Sequence, residues 1–413
     1  MHETKMKPTI NITRLQSTFD VSSSIGTTEK GGLTRLALTK EDVKIRDVFV
    51  EWLEEAGLAV KIDDLGNIYG RREGKKKEAG AVMIGSHLDT LPKGGRFDGI
   101  LGVLSSLEVI RTLNDLNIET DRPIEIVNFT NEEGERFTPP MQGSGVITGN
   151  YDKEIIYKLK DKDGISFEQS LIDSGYLGDI KNRPSNVDYF IETHIEQGPF
   201  LEENQKDIGI VQGVKGTKRH RVQIKGKSSH SAFPNSHRKE ALLAASEIVL
   251  TIDEVAKQFE DLSTSIGVFD VTPSVESITT EFVEFTFDAR HIDNAIKDQA
   301  IRLIKEKINE VSIKRKVEID FEETWDANGT YFSKEIMKSI EEAVESNGYS
   351  HQYITAPALH DAKFMTDITK TAMIFCPSKD GLSHCEEEYT SIEDIEKVTN
   401  VLLRTVISLA NQN

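Results

Sequence analysis

The chain has 413 residues, 37% hydrophobic and 29% charged, with 50 Lys and Arg against 69 Asp and Glu. That length predicts two domains, and the formal charge of −19 argues against nucleic acid or an anionic membrane as partner. Cys376 and Cys385 make neither a CxxC pair nor a disulfide framework, residues 1–14 hold no h-region, and no apolar run nears the roughly 20 residues of a membrane span. A cytoplasmic protein without a signal peptide is expected.

Residues 1–34 hold two short apolar periods, then a loop rich in Ser, Gly and Thr over 21–34. Thr39 reads as a helix N-cap with Asp42 as a partial capping box. Ile45, Val48, Phe49, Trp52 and Leu53 form one stripe of that helix, which Gly57 ends. Residues 60–62 and 67–71 predict a strand pair, and the charged run 71–78 a solvated turn. The apolar strand 81–86 runs into Gly85-Ser86-His87-Leu88-Asp89-Thr90 and then Gly94-Gly95-Arg96-Phe97-Asp98-Gly99. Gly94, Gly95 and Gly99 read as the turn residues that let the chain double back to Asp98. A helix is predicted over 99–114, with Leu101, Leu104, Leu107 and Ile110 or Val109 on one side. A second strand, 123–130, ends at Asn131-Glu132-Glu133-Gly134. Gly143-Ser144-Gly145 matches neither GxGxxG nor GxSxG and reads as a turn. Residues 151–185 look helical and polar, and a third strand, 187–193, ends at His194-Ile195-Glu196-Gln197-Gly198-Pro199.

After about Gly213 the pattern changes to strand 219–224, helix 238–259, strands 263–271 and 281–288, helix 293–311 and strand 317–325. This β-α-β-β-α-β order predicts a small open-faced sheet with both helices on one side. A helix then follows from about Phe332 and leads into 356–365, which contains His360-Asp361. The strand 372–376 ends near Gly381-Leu382-Ser383-His384, and the helix 391–409 closes the chain. The segment 214–328 thus reads as an insert, of α+β open-faced sandwich type, in a discontinuous mixed-sheet α/β domain of 1–213 and 329–413.

His87, Asp98, Glu132, Glu133, His194 and His384 each sit at or just past the C-terminal end of a predicted strand. That edge is where an open α/β sheet binds ligands. Any one alone reads as a capping or surface residue; six at one topological place do not. Imidazoles and carboxylates without thiolate suit Zn, Mn, Co or Ni, and a bridging carboxylate can hold two ions roughly 3.5–4 Å apart. Glu132 and Glu133 point to opposite sides of an extended backbone, so one can ligate while the other faces water as general base. Asp89, on the same face as His87, is expected to take its second imidazole N–H.

The segments GSHLDT…GGRFDG, NFTNEEGERF, HIEQGP, SSHSAFPNSHRKEA, LHDA and GLSHCEEEYT resemble the metal-dependent M20 amidohydrolase family over nearly the whole chain. HIEQGP favours its N-carbamoyl-L-amino-acid hydrolase, ureidopropionase and allantoate amidohydrolase branch. The resemblance implies a metal-hydrolase domain with two divalent ions per subunit, one held by His87, Asp98 and His194, the other by Asp98, Glu133 and His384. It implies that Glu132 is the general base, that Gln197 contacts the ureido or amide group, and that Arg290 pairs with the carboxylate of a small anionic substrate. His230 would reach the substrate across a homodimer interface built by the inserted lid domain, and His360 is a further candidate contact. A surface position is expected for His220, His237 and His291. The implied reaction is cleavage of an N-carbamoyl-L-amino acid to the amino acid, carbon dioxide and ammonia. The alternatives are an allantoate amidohydrolase, a β-ureidopropionase, an aminoacylase or peptidase, and a non-catalytic binding module. Departures from the family pattern at Ser277, 356–359 and Cys385 bear on substrate choice.

Overall fold

The computed structural model describes residues 7–412, so the part of the N-terminal reading that concerns residues 1–6 lies outside them. The described residues divide into two compact units, the chain up to Gly213 with Phe332 onward, and Val214–Tyr331. The second unit so divided ends at Tyr331, although Thr330–Tyr331 already pairs with a strand of the first unit's sheet.

In the first unit β1 (Ala59–Ile62) pairs antiparallel with β2 (Ile68–Arg72). β3 (Ala81–His87) and β4 (Ile124–Phe129) are parallel, with His87 opposite Phe129, and β4 is antiparallel to β2. β5 (Val187–Ile195) lies parallel to β3, and β6 (Ile208–Val214) ends the first passage. β3 and β4 are buried along their whole length, as befits parallel strands covered on both faces.

The helix Ile100–Asp115 lies against β3 and β5. Its sequence predicts a one-sided apolar stripe, yet Ser105, Ser106, Glu108 and Thr112 are buried too, because the helices Ile12–Ser23 and Ile392–Ala410 pack against it. Ile12–Ser23 runs into the stretch read as a loop. It starts at Asn11, whose side chain accepts the Arg14 N–H, and Arg14 Nη2 meets buried Glu108 Oε1 at 2.8 Å. The helix Lys40–Glu55 does begin after Thr39, but the Thr39 hydroxyl donates to the Leu36 carbonyl instead of capping. Asp42 accepts from the Leu38 N–H at 2.7 Å and from Arg46 Nε at 2.6 Å. Gly143-Ser144-Gly145 lies in a short helix, Gln142–Ile147, rather than a turn.

In the second unit β7 (Gly216–Lys225), β8 (Ser263–Thr272), β9 (Phe282–His291) and β10 (Glu318–Ala327) form an antiparallel sheet of order β10-β7-β9-β8. The helices Ala241–Ala256 and Asn294–Arg315 share a core with Val222, Ile224, Val283, Phe285 and Phe287. The surface reading of two histidines is corrected here. His220 is 1% exposed, since it shares the inward parity of Val222 and Ile224 on β7. It stacks on Phe321 and Phe287 at 4.4 and 5.2 Å between ring centroids. His291 is also buried: Nδ1 accepts the Asp293 N–H at 2.9 Å and Nε2 donates to the Glu260 carbonyl at 3.1 Å. His237 is exposed.

The chain returns through β11 (Thr330–Tyr331), the helix Lys334–Asn347 and β12 (His351–Ala356), a strand with no legible pattern in the sequence. β13 (Lys370–Cys376) is parallel to β5, with Phe375 opposite His194, and antiparallel to β6. The parallel strands β4, β3, β5 and β13 are therefore neighbours, and their C-terminal ends lie along one edge.

Candidate active site

That edge gathers the predicted ligands of the first unit. His87 is the last residue of β3, His194 lies near the end of β5, and Asp98 sits in the loop before helix Ile100–Asp115. His194 Nε2 and His87 Nε2 lie 3.0 and 3.7 Å from Asp98 Oδ1. The other Asp98 oxygen, Oδ2, is 3.1 Å from His384 Nε2, which is 3.8 Å from Glu133 Oε2. Ligand atoms of His87, Asp98 and His194 all lie within 4.8 Å of one another, and so do those of Asp98, Glu133 and His384. Glu132 Oε2 stands 3.5 Å from His87 Nε2, so the adjacent glutamates face different histidines. Glu192, His194 and His360 form a third such group. It shares His194, whose Nδ1 is already bonded to a backbone carbonyl, so Nε2, which also lies 3.1 Å from the Gly99 N–H, would have to serve both groups.

The imidazoles are aimed by the backbone. His87 Nδ1 meets the Asp89 carbonyl and His194 Nδ1 the Ile195 carbonyl, each at 2.9 Å. An Nδ1–H donated to a carbonyl leaves the Nε2 lone pair for a ligand. This corrects the role expected of the Asp89 side chain. β3 ends at His87, so Asp89 is no longer on the extended backbone that would put both side chains on one face. The buried Asp89 carboxylate instead accepts the N–H groups of Glu132 and Glu133, each at 3.3 Å. Gly99 has φ +67°, and a Cβ there would lie 2.3 Å from His87 Cε1 and Nε2, so no other residue fits beside the imidazole. At Gly95 the constraint is a close approach rather than a turn, for a Cβ would lie 1.8 Å from Glu388 Oε1.

Burial, with Asp361, Glu133 and Asp98 adding to it, raises the Glu132 carboxyl well above its ordinary range. Burial and Asp98 do the same to Glu133. Burial also acts on Asp98, but His194, His384 and His87 overcome it and hold that carboxyl well below the ordinary range. Burial lowers His87 to about 4, whereas at His194 the Asp98 carboxylate outweighs burial and raises the ring to about 9. These desolvated carboxylates repel one another, and the Nε2 atoms of His87, His194 and His384 converge on them. The imidazole and carboxylate donor set, without thiolate, fits divalent cations, and cations there would relieve the repulsion.

Gln197 donates from Nε2 to Asp98 Oδ2 at 2.8 Å, and its buried Oε1 has no partner among the described residues. His360 is buried edge-on to the His194 ring at 4.4 Å between centroids, with Nε2 likewise without a partner. His230 and Arg290 belong to the second unit. His230 is exposed, and its Nδ1 accepts the Ala232 N–H at 3.0 Å. Arg290 Nη2 lies 3.1 Å from Asp288 Oδ2, and the Asp288 carboxylate also takes Arg219. Ser277 lends its carbonyl to the Ser231 N–H at 2.9 Å, beside His230.

Three buried acids escaped the sequence reading. Glu192 accepts from Ser86 Oγ at 2.6 Å and from the Ala362 N–H at 2.9 Å; its spacing of two from His194 on one strand was the available signal. Asp361 takes the Ser144 hydroxyl, which ties helix Gln142–Ile147 to the segment after β12. Glu388 accepts the Phe97 and Asp98 N–H groups, and nothing in its acidic run marks it out.

A mixed sheet of nine strands among the described residues, with imidazoles and carboxylates gathered at the C-terminal ends of its parallel strands, defines an α/β architecture with a candidate metal site, and comparison with known proteins places it in a hydrolase family. The model of peptidase family M20/M25/M40 matches residues 83–408, and the chain belongs to that family. An N-carbamoyl-L-amino-acid amidohydrolase of Pseudomonas sp. (strain NS671) is 33% identical over 97% of this chain and 98% of its own length. The crystal structure of an amidase of the hydantoinase/carbamoylase family from Burkholderia multivorans is 37% identical, with TM-score 0.95 over 98% of this chain and 100% of that one. An allantoate amidohydrolase of Bacillus subtilis (strain 168) is 29% identical over 93% of this chain and 94% of its own length.

Proposed function

We propose that the chain is a metal-dependent hydrolase of linear C–N bonds that converts an N-carbamoyl-L-amino acid to the amino acid, carbon dioxide and ammonia. The observation that carries this reading is the pair of ligand groups that share Asp98, with Glu132 beside them. The relatives named for carbamoyl and allantoate substrates support the substrate class. Bound at these groups, two divalent ions of the Zn, Mn, Co or Ni type supply Lewis acidity to the scissile carbonyl and to water.

The chain's own residues do the rest. Glu132, whose burial favours proton uptake, takes the proton of the attacking water and hands it to the leaving nitrogen. Asp89 fixes the backbone from which Glu132 projects. The unpartnered Gln197 Oε1 accepts an N–H of the carbamoyl group, and His360 Nε2 makes a further substrate contact. Arg290 pairs with the substrate carboxylate and His230 helps hold the oxyanion. The segment Val214–Tyr331 serves as lid and dimerisation domain; Val268 and Phe269, exposed on the edge strand β8, support a homodimer through it. We place the protein in the cytoplasm, and no helix among the described residues is long and apolar enough to cross a membrane.

The test is a substrate panel of N-carbamoyl-L-amino acids, ureidopropionate, allantoate, N-acetyl amino acids and dipeptides. It is read by ammonia and amino-acid formation, with metal-loaded, chelated and reloaded protein. Ammonia and amino acid should form from N-carbamoyl substrates, stop on chelation and return on reloading. Preferred turnover of allantoate would move the reading to that neighbour. No bound metal and no hydrolysis would leave a binding module.

A further inference from the structure

Glu388 lies on the segment after His384 and is 2% exposed. Its Oε1 accepts two backbone donors, the N–H groups of Phe97 and Asp98, both at 3.0 Å. Its Oε2 stands 2.9 Å from Ser383 Oγ. The same hydroxyl stands 2.9 Å from Asp98 Oδ2. A hydroxyl has one proton, so Ser383 serves one of these carboxylates at a time. Glu388 also fills the space over Gly95 that a side chain there would need. One carboxylate thus grips the backbone of Asp98 on one side and the neighbour of His384 on the other. These are two ligands on loops that are distant in sequence.

We propose that Glu388 is a positioning residue that sets the spacing between Asp98 and His384 for the ion those two share with Glu133. The inference rests on the two-ion reading above. Were Asp98 Oδ2 to serve an ion, the Ser383 hydroxyl would be left to Glu388, whose Oε2 it already meets at 2.9 Å. An aspartate, one methylene shorter, would not span both loops. A glutamine would, because its carbonyl still accepts both N–H groups and its NH2 can face the Ser383 oxygen.

The test is calorimetric titration of Mn(II) into the full-length metal-free protein, with electron paramagnetic resonance to read coupling between paired ions. Wild type, E388A, E388Q and S383A are compared, and the melting temperature of each metal-free protein is recorded. In E388A the ion of the Asp98–Glu133–His384 group should bind about 10–100-fold more weakly and the coupled signal should fade, while the ion held by His87, Asp98 and His194 stays within about threefold. E388Q should recover most of that affinity, and S383A should fall between. Unchanged affinities and coupling in a folded E388A overturn the proposal, as does a lowered melting temperature with both ions bound normally. If E388A does not fold, S383A and E388Q decide: normal second-ion binding in S383A overturns it. A wild type that binds fewer than two ions refutes the two-ion reading itself, a result distinct from any of these.

Discussion

Replacing Asp89 by Asn tests how the site glutamates are held. Asp89 is 1% exposed and accepts the N–H groups of Glu132 and Glu133 with its two oxygens. D89N turns one of those oxygens into a donor, so one of the two N–H groups faces an NH2. A hydrogen bond to a charged group contributes roughly 1.5–3 kcal/mol, and an orphaned buried donor costs about 1–3 kcal/mol. The substitution also removes a negative charge near two fully buried guanidiniums, Arg35 and Arg46. Burial lowers Arg35 to about 10 even with Asp42 and Asp89 pulling it up. Together these amount to about 2.5–6 kcal/mol, shared between global stability and the placing of the two glutamates. If about 2 kcal/mol falls on the placing of Glu132, the rate drops roughly 30-fold. The assay is kcat for ammonia release from an N-carbamoyl-L-amino acid, with metal content and melting temperature measured on the same sample. The expected result is a kcat lower by about 30-fold or more, with metal retained at His87, Asp98 and His194. A D89N enzyme with kcat within about threefold of wild type would show that the carboxylate does not position Glu132, and the reasoning would fall.

Glu132→Gln should keep both ions and lose about 10²–10⁴ in turnover, read by single-turnover kinetics on metal-loaded protein; near-normal turnover would remove Glu132 from the base role. Gly99→Ala forces a Cβ to 2.3 Å from the His87 ring at φ +67°, so it should lower the melting temperature and metal content together. The sparsely populated backbone conformation alone accounts for about 1–3 kcal/mol of that loss, and an unchanged melting temperature would show that the loop relaxes freely. For His220, burial between aromatic rings lowers the folded pKa to about 4, below the unfolded value near 6.5. The unfolded chain then takes up the proton first, so stability is full above about pH 6.5 and falls as the pH drops toward 4. Denaturant melts of wild type and His220→Phe over that range should diverge by about 2 kcal/mol, allowing for solvent near Lys218 and Glu323; a constant difference would refute the assignment.

What could be read from the sequence was what short-range pattern controls. β3, β4, β5 and β13 were legible because each is an apolar run bounded by polar residues, and each run points to the candidate site residues beyond it. The β-α-β-β-α-β order of the insert was legible for the same reason, as were the residue types that suit a divalent metal. His220 was also within reach, since it has the parity of Val222 and Ile224. The helix Ile12–Ser23 was not, because much of its support comes from the helix Ile100–Asp115 and from buried Glu108, far along the chain.

By itself, then, the sequence determined the strands, the candidate ligands near their ends and the family they belong to, because hydrophobic period and side-chain chemistry are local properties. Only the tertiary structure decided how those ligands are held. Asp89 turns from His87 to the Glu132 and Glu133 backbone because β3 stops at His87. Glu388 reaches back to the Asp98 loop because the segment beyond β13 meets the one beyond β3. A carboxylate's partner is set by which N–H groups the fold leaves unpaired near it, and that is a property of loops brought together from distant parts of the chain.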